Sequence, residues 1–152
     1  MPKNKIVMGV PAYAHTFTLQ SADQHGMNAP VVGVGQVPAG NPGYAMYREM
    51  CDLVKNKGWI KAIPDDGGAH DPIAYSGVNW ACYDDPFAAN NKSMWVKENG
   101  YGGIHVWEIT QDDFHPKCCK KAYPLLRAIN HGLFNKTNWP YTYGCEPKTS
   151  ST

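Results

Sequence analysis

The sequence predicts an α/β fold built on a parallel sheet, and three observations carry that prediction. Two short apolar runs, Ile6-Val-Met-Gly-Val10 and Tyr101-Gly-Gly-Ile-His-Val-Trp107, have the length and composition of strands buried in a parallel sheet. Helical patterns with clear start or stop signals follow both runs. The stretch between the first run and the last two β/α segments is rich in Gly, Pro and Asn, and removing it leaves the order βαβα. That order belongs to a parallel sheet with covering helices. Two strands alone cannot close a barrel or bury both faces of a sheet.

Taken in order, Pro11 closes the first strand, and residues 20–43 read as loops and short strands around Val31, Val32, Val34 and Val37. A helix is expected over residues 42–57. Asn41 would cap it, Pro42 suits its first position and Gly58 would end it. Tyr47, Met50, Cys51 and Val54 fall at i, i+3, i+4 and i+7, one apolar stripe. Residues 59–63 and 78–83 are candidate strands. Asp85-Pro86 opens a second helix that should stop at Asn99-Gly100. A last helix is expected over residues 120–131, with Ala122, Leu125, Leu126, Ile129 and Leu133 on its stripe and Gly132 as its stop. The tail carries Trp139, Tyr141, Tyr143 and Cys145 and ends with linker composition.

Composition narrows the function. The 152 residues are enough for a domain with a core, and 43% hydrophobic with 18% charged residues reads as globular and soluble. A formal net charge of +1 without a basic stripe argues against nucleic acid as a partner. No apolar run approaches the roughly 18 residues of a membrane span. The six histidines and five cysteines show no C-x-x-C or H-x-x-x-H spacing, so neither a metal site nor a cofactor is expected. Cysteine-rich composition and the sequons at Asn91 and Asn135 point to a secreted glycoprotein. No secretory leader is visible at Met1, so an N-terminal part is expected to be missing.

Four ordered segments resemble glycoside hydrolase family 18, the chitinases and chitinase-like proteins. Lys5-Ile-Val-Met-Gly-Val-Pro-Ala-Tyr-Ala-His-Thr-Phe-Thr-Leu19 is similar to the family's seventh-strand segment, with its pattern G-x-P-x-Y-G-R-x-F-x-L. Asn79-Trp-Ala-Cys-Tyr-Asp-Asp-Pro86 resembles W-V-x-Y-D-D-P. Gly100-Tyr-Gly-Gly-Ile-His-Val-Trp107 with Asp112-Asp-Phe114 resembles G-x-G-G-x-x-x-W and D-D-F, and Tyr123-Pro-Leu-Leu-Arg-Ala-Ile-Asn130 resembles the closing helix. The resemblance covers residues 2–133 and implies the C-terminal fragment of a TIM (β/α)8 barrel carrying an α+β insertion domain. Residues 1–15 and 79–133 would be the last two β/α units, 16–78 the insertion, and 134–152 a tail entering a linker.

The resemblance also implies a chemistry. Family chitinases hydrolyse β-1,4-linked N-acetylglucosamine, with a glutamic acid protonating the leaving oxygen and the substrate's acetamide attacking. That acid closes D-x-x-D-x-D-x-E, and the acetamide is gripped by M-x-Y-D. Neither motif occurs in this sequence, so no catalytic residue is assigned and the chain alone should not hydrolyse. The expected partner is chitin or chitooligosaccharides, together with the missing N-terminal part of the barrel. A non-catalytic chitinase-like lectin or structural protein is the alternative.

Trp107, alone, would read as a core indole. The resemblance makes it the floor of the subsite beside the scissile bond, at the C-terminal end of a barrel strand, where such sites lie. Tyr13 would line the groove. His15 stands where the family often has Arg, so a long bidentate contact is replaced by a short imidazole. Asn41 and Tyr44 stand where the insertion offers Glu and Met. Glu108 should point away from Trp107 by strand alternation, and Asp112 and Asp113 should cap turns or pair with cations. The resemblance further implies a disulfide from Cys51 to Cys118, with Cys119 as fallback; Cys82, Cys145 and the other member of the adjacent pair are unassigned.

Overall fold

The computed structural model describes residues 1–37, 41–64, 71–135 and 145. Two sheets organise it. β1 (Val7–Pro11) and β8 (Gly103–Trp107) form a parallel pair, in register from Val7 opposite Gly103 to Pro11 opposite Trp107. Between them in sequence lies an antiparallel sheet in the order β3-β2-β7-β6-β5, with β4 also pairing to β2. Its strands are β2 (Tyr13–Leu19), β3 (Val31–Val34), β4 (Tyr44–Met46), β5 (Ile60–Ala62), β6 (Ile73–Ser76) and β7 (Asn79–Tyr83). This sheet takes in Tyr13, Ala14 and His15 at one end and all of β7 at the other, residues that the sequence places with the barrel units.

The parallel pair is less buried than expected of sheet-core strands. Val7 is 56% and Trp107 60% exposed, because β1 and β8 each have one strand neighbour and an open edge. Among the described residues, one main apolar core joins the two sheets. Val10, Tyr47, Met50, Leu125 and Ile129 all belong to it.

α1 (Tyr47–Asn56) starts later than the Asn41-Pro42 signal predicts. Gly43 turns the chain at φ +79°, and Tyr44–Met46 then pairs with β2 instead of coiling. The helix is capped at Met46, whose N–H donates to Glu49 Oε2 at 2.8 Å. The stripe Tyr47, Met50, Cys51 and Val54 is buried, and Gly58 past the end has φ +76°.

α2 (Pro86–Glu98) follows its local signals. Asp85 caps it through Ala88 N–H at 2.8 Å, Pro86 opens it, and Gly100 leaves it at φ +72°. α3 (Pro124–Asn135) departs from expectation at both ends. It begins at Pro124 because Tyr123 sits at φ +56° and the Asp112 carboxylate receives Leu125 and Leu126 N–H. It runs through Gly132, which is no stop. That glycine lies against α2, where an added Cβ would meet Asn90 O at 2.6 Å and Ser93 Cβ at 2.8 Å. Its role is close helix packing. Trp139, Tyr141 and Tyr143 lie outside the described residues.

Two disulfides tie the layers together. Cys51 on α1 is bonded to Cys118 after β8, with Cα atoms 5.9 Å apart, and Cys119 is bonded to Cys145. Cys82 is in neither.

Candidate functional site

The parallel pair ends at a cluster of aromatic side chains. Trp107 is the last residue of β8, level with Pro11, and its carbonyl accepts Ala12 N–H at 2.8 Å. The chain therefore passes from β1 into β2 beside Trp107, with Tyr13 as the first residue of β2. The Trp107–Glu108 peptide is cis. His105, two residues back on the same face of β8, has its ring 6.3 Å from that of Trp107.

β4 completes the cluster. In its antiparallel register His15 is opposite Tyr44 and Tyr13 is opposite Met46, so Tyr13 and Tyr44 are diagonal neighbours on one face. Their rings stack with centroids 5.1 Å apart at 25°. Tyr13 also meets His15 edge-on at 5.4 Å. The structure thus brings Tyr13, His15 and Tyr44 into direct contact and places Trp107 on the adjoining strand end. Asn41 is exposed in the turn before β4, its carbonyl accepting Tyr44 N–H at 3.0 Å.

Two charged residues near this cluster carry weight that the sequence does not reveal. Glu108 lies beyond the last residue of β8, where strand alternation no longer sets its direction. Its carboxylate acts on Tyr44: burial chiefly, then Glu108, Tyr13 and Glu49, push the Tyr44 phenol up, and Arg48 opposes them. Glu108 Oε1 accepts from the Thr110 hydroxyl at 2.5 Å. Arg48, on α1, donates to Thr110 O and lies over the Phe114 ring at 5.2 Å. It pins the segment after Trp107 to the insertion helix.

Asp112 and Asp113 are spent on architecture. Asp112 caps α3, and Asp113 receives Lys117, Cys118 and Cys119 N–H. Among the described residues no cluster of three or more His, Cys, Asp or Glu could hold a metal ion. No helix among them is long and apolar enough to cross a membrane. Of the sequons, Asn91 is half-buried on α2 and its Ser93 is fully buried, with Oγ donating to Ala89 O at 2.6 Å. Asn135 is exposed at the end of α3, and the rest of its sequon lies outside the described residues.

Comparison with known proteins gives the family. The family described as glycosyl hydrolases family 18 matches residues 1–112. The chain is 34% identical to an endochitinase of Brugia malayi over 155 aligned residues, covering 100% of this chain and 30% of the relative. It is 35% identical to human chitinase-3-like protein 2, covering 88% of this chain and 34% of the relative. Among solved structures, a mutant of catalytic domain 2 of the Ostrinia furnacalis Group II chitinase, in complex with a penta-N-acetyl chitooligosaccharide, superposes with TM-score 0.82 at 32% identity. That match covers 91% of this chain and 37% of the other. Human YKL-39, a pseudo-chitinase with retained chitooligosaccharide binding properties, superposes at 0.79 with 36% identity, covering 88% and 36%. The chain spans about a third of the length of these relatives. Its mixed α/β architecture is that part of their barrel and insertion domain.

Proposed function

Since the chain belongs to glycosyl hydrolases family 18, we propose that it forms one wall of a chitin-binding groove, with Trp107, Tyr13, His15 and Tyr44 as the residues that meet N-acetylglucosamine units. The observation that carries this reading is Trp107. A large aromatic left 60% exposed at the C-terminal end of a parallel strand is costly to leave in water. An indole so placed offers a flat face to the apolar side of a pyranose. The stacked Tyr13–Tyr44 pair and His15, at the start of the strand that follows β1, supply phenol and imidazole groups for hydrogen bonds to the sugar.

The chain by itself binds without hydrolysing. It has no D-x-x-D-x-D-x-E and no M-x-Y-D, and Asp112 and Asp113 are committed to backbone N–H groups. In a longer parent carrying those motifs the same wall serves hydrolysis of β-1,4 linkages. In a parent whose acid is replaced it serves a lectin, the reading favoured by the likeness to a pseudo-chitinase that retains oligosaccharide binding. We place the protein outside the cell: two disulfides suit an oxidising compartment. Asn135 is the better glycan acceptor, being exposed.

The test is retention of the 152-residue chain on chitin beads and titration with a chitin tetramer. Weak saturable binding is expected, with Trp107→Ala reducing affinity by about tenfold or more. Unchanged binding by that variant would overturn the assignment, and release of chitobiose by the pure chain would overturn the absence of hydrolysis.

A further inference from the structure

A cavity of about 630 Å³ opens between α1 and the segment after β8, and none of the residues assigned to the sugar face lines it. Its size lies in the range of small-molecule sites. One wall is Arg48, Glu49, Asp52 and Leu53 of α1, continued by Lys57 and Trp59; the other is residues 113–115 with Lys117 and Cys118. The walls are cross-linked. The Cys51–Cys118 disulfide, Lys55 Nζ donating to Cys118 O, and Arg48 donating to Thr110 O all bridge them. A cavity held this way is preformed rather than opened by its ligand.

Its chemistry selects the ligand. The floor is apolar: Leu53, Trp59 and Phe114. The rings line the cavity without an open face broad enough to stack a pyranose. Trp59 is 7% exposed, and Phe114 is covered by Arg48 on one side and by the tilted His115 ring at 4.6 Å. The carboxylates in the walls already accept internal donors: Glu49 from Met46 N–H, Asp52 from the Asn56 amide at 2.6 Å, and Asp113 from Cys118 and Cys119 N–H. Lys57 and Lys117 are exposed, and among the described residues neither ammonium has a partner. Of the charged groups lining the cavity, Lys57 and Lys117 are the two with no partner among the described residues, and they stand at its rim with the exposed His115.

We propose that this cavity binds a small amphipathic anion, its apolar body on Leu53, Trp59 and Phe114 and its carboxylate or sulfonate held by Lys57 and Lys117. The cavity shares none of the four sugar-face side chains, although Arg48 and Glu49 in its wall also act on Tyr44. Decanoate, titrated by calorimetry below its micellar range into the intact chain, should bind saturably at one site per chain. The double variant Lys57→Gln/Lys117→Gln should weaken it by about tenfold, and Leu53→Trp, which fills the floor, should abolish it. Decyl maltoside, with the same chain and no charge, should bind far more weakly. Equal binding of decyl maltoside, or decanoate binding unchanged in the lysine double variant, overturns the proposal. The lysines are on the surface, so that arm stands even where Leu53→Trp does not fold. Chitin-bead retention should be unaltered in the lysine variant; a parallel loss would assign the cavity to the sugar groove instead.

Discussion

Tyr13 and Tyr44, thirty-one positions apart in sequence, stack at 5.1 Å because β4 pairs with the start of β2. The pair adds a side-chain link to the backbone pairing that holds β4 on β2. An aromatic pair of this geometry contributes about 0.5–1.5 kcal/mol beyond the area it buries. A double-mutant cycle with Tyr13→Ala and Tyr44→Ala, read by urea unfolding, should return a coupling energy in that range. Additive single effects would mean that the rings only lie near each other.

Gly132 supplies a second test. Alanine normally improves a helix by up to about 1 kcal/mol over glycine. At this position the new methyl would collide with the Asn90 carbonyl and Ser93 of α2. Gly132→Ala should therefore destabilise by about 1–3 kcal/mol, with α2 and α3 forced apart. Its sign is the discriminating feature: any gain in stability in urea would show that the two helices are not in close contact there.

How much of this was legible depended on the range of the signal. α2 was readable because Asp85, Pro86 and Gly100 act within a turn of themselves. The start of α1 was not, because Asn41-Pro42 looks like a cap and only the distant pairing with β2 shows that Tyr44–Met46 is a strand. Gly132 carried the right residue and the wrong reason: a helix stop and a close helix contact both call for glycine, and sequence cannot separate them. β6 has no local signature, since Ile73-Ala-Tyr-Ser76 is too short a pattern to stand apart from its loop. In the site, the resemblance to family 18 singles out Tyr13, His15, Tyr44 and Trp107. The influence of Glu108 on Tyr44 and the bridging by Arg48 depend on where β8 ends and how α1 docks, neither of which has a local signature.

The two disulfides should contribute unequally. Cys51–Cys118 closes a separation of 67 residues and Cys119–Cys145 one of 26. Chain-entropy reasoning gives about 2–4 kcal/mol for such links and about 0.8 kcal/mol more for the longer loop. Replacing Cys51 and Cys118 together by Ala should lower the unfolding midpoint more than replacing Cys119 and Cys145. It should also release α1 from the segment after β8 and so weaken decanoate binding at the cavity. Equal midpoints for the two double variants would indicate that loop entropy does not govern these bonds.

Stability should also depend on pH through Asp84, which follows the last residue of β7. Its side chain is 3% exposed; Oδ1 accepts from Lys92 Nζ at 2.7 Å, while Oδ2 is buried without a hydrogen-bond partner. Lys92 also reaches Asp71 at 2.9 Å. Burial pushes the Asp84 carboxyl up to about 6; Lys92 pulls it down, less strongly, and Asp71 adds repulsion. A carboxyl that holds its proton more tightly in the folded state than in the unfolded chain, where it titrates near about 4, makes the folded state the richer in protons between those values. Stability from this group is then highest below pH 4 and falls as pH rises through about 6. Asp84→Asn should remove that fall, flattening the urea midpoint across this window relative to the parent chain. Lys92→Met should do the opposite. It strips Asp84 of its cation, raises its pKa further, and costs about 3 kcal/mol at pH 8 by leaving a buried charge unpaired. Identical pH profiles for the parent and Asp84→Asn would place the pH dependence on other groups.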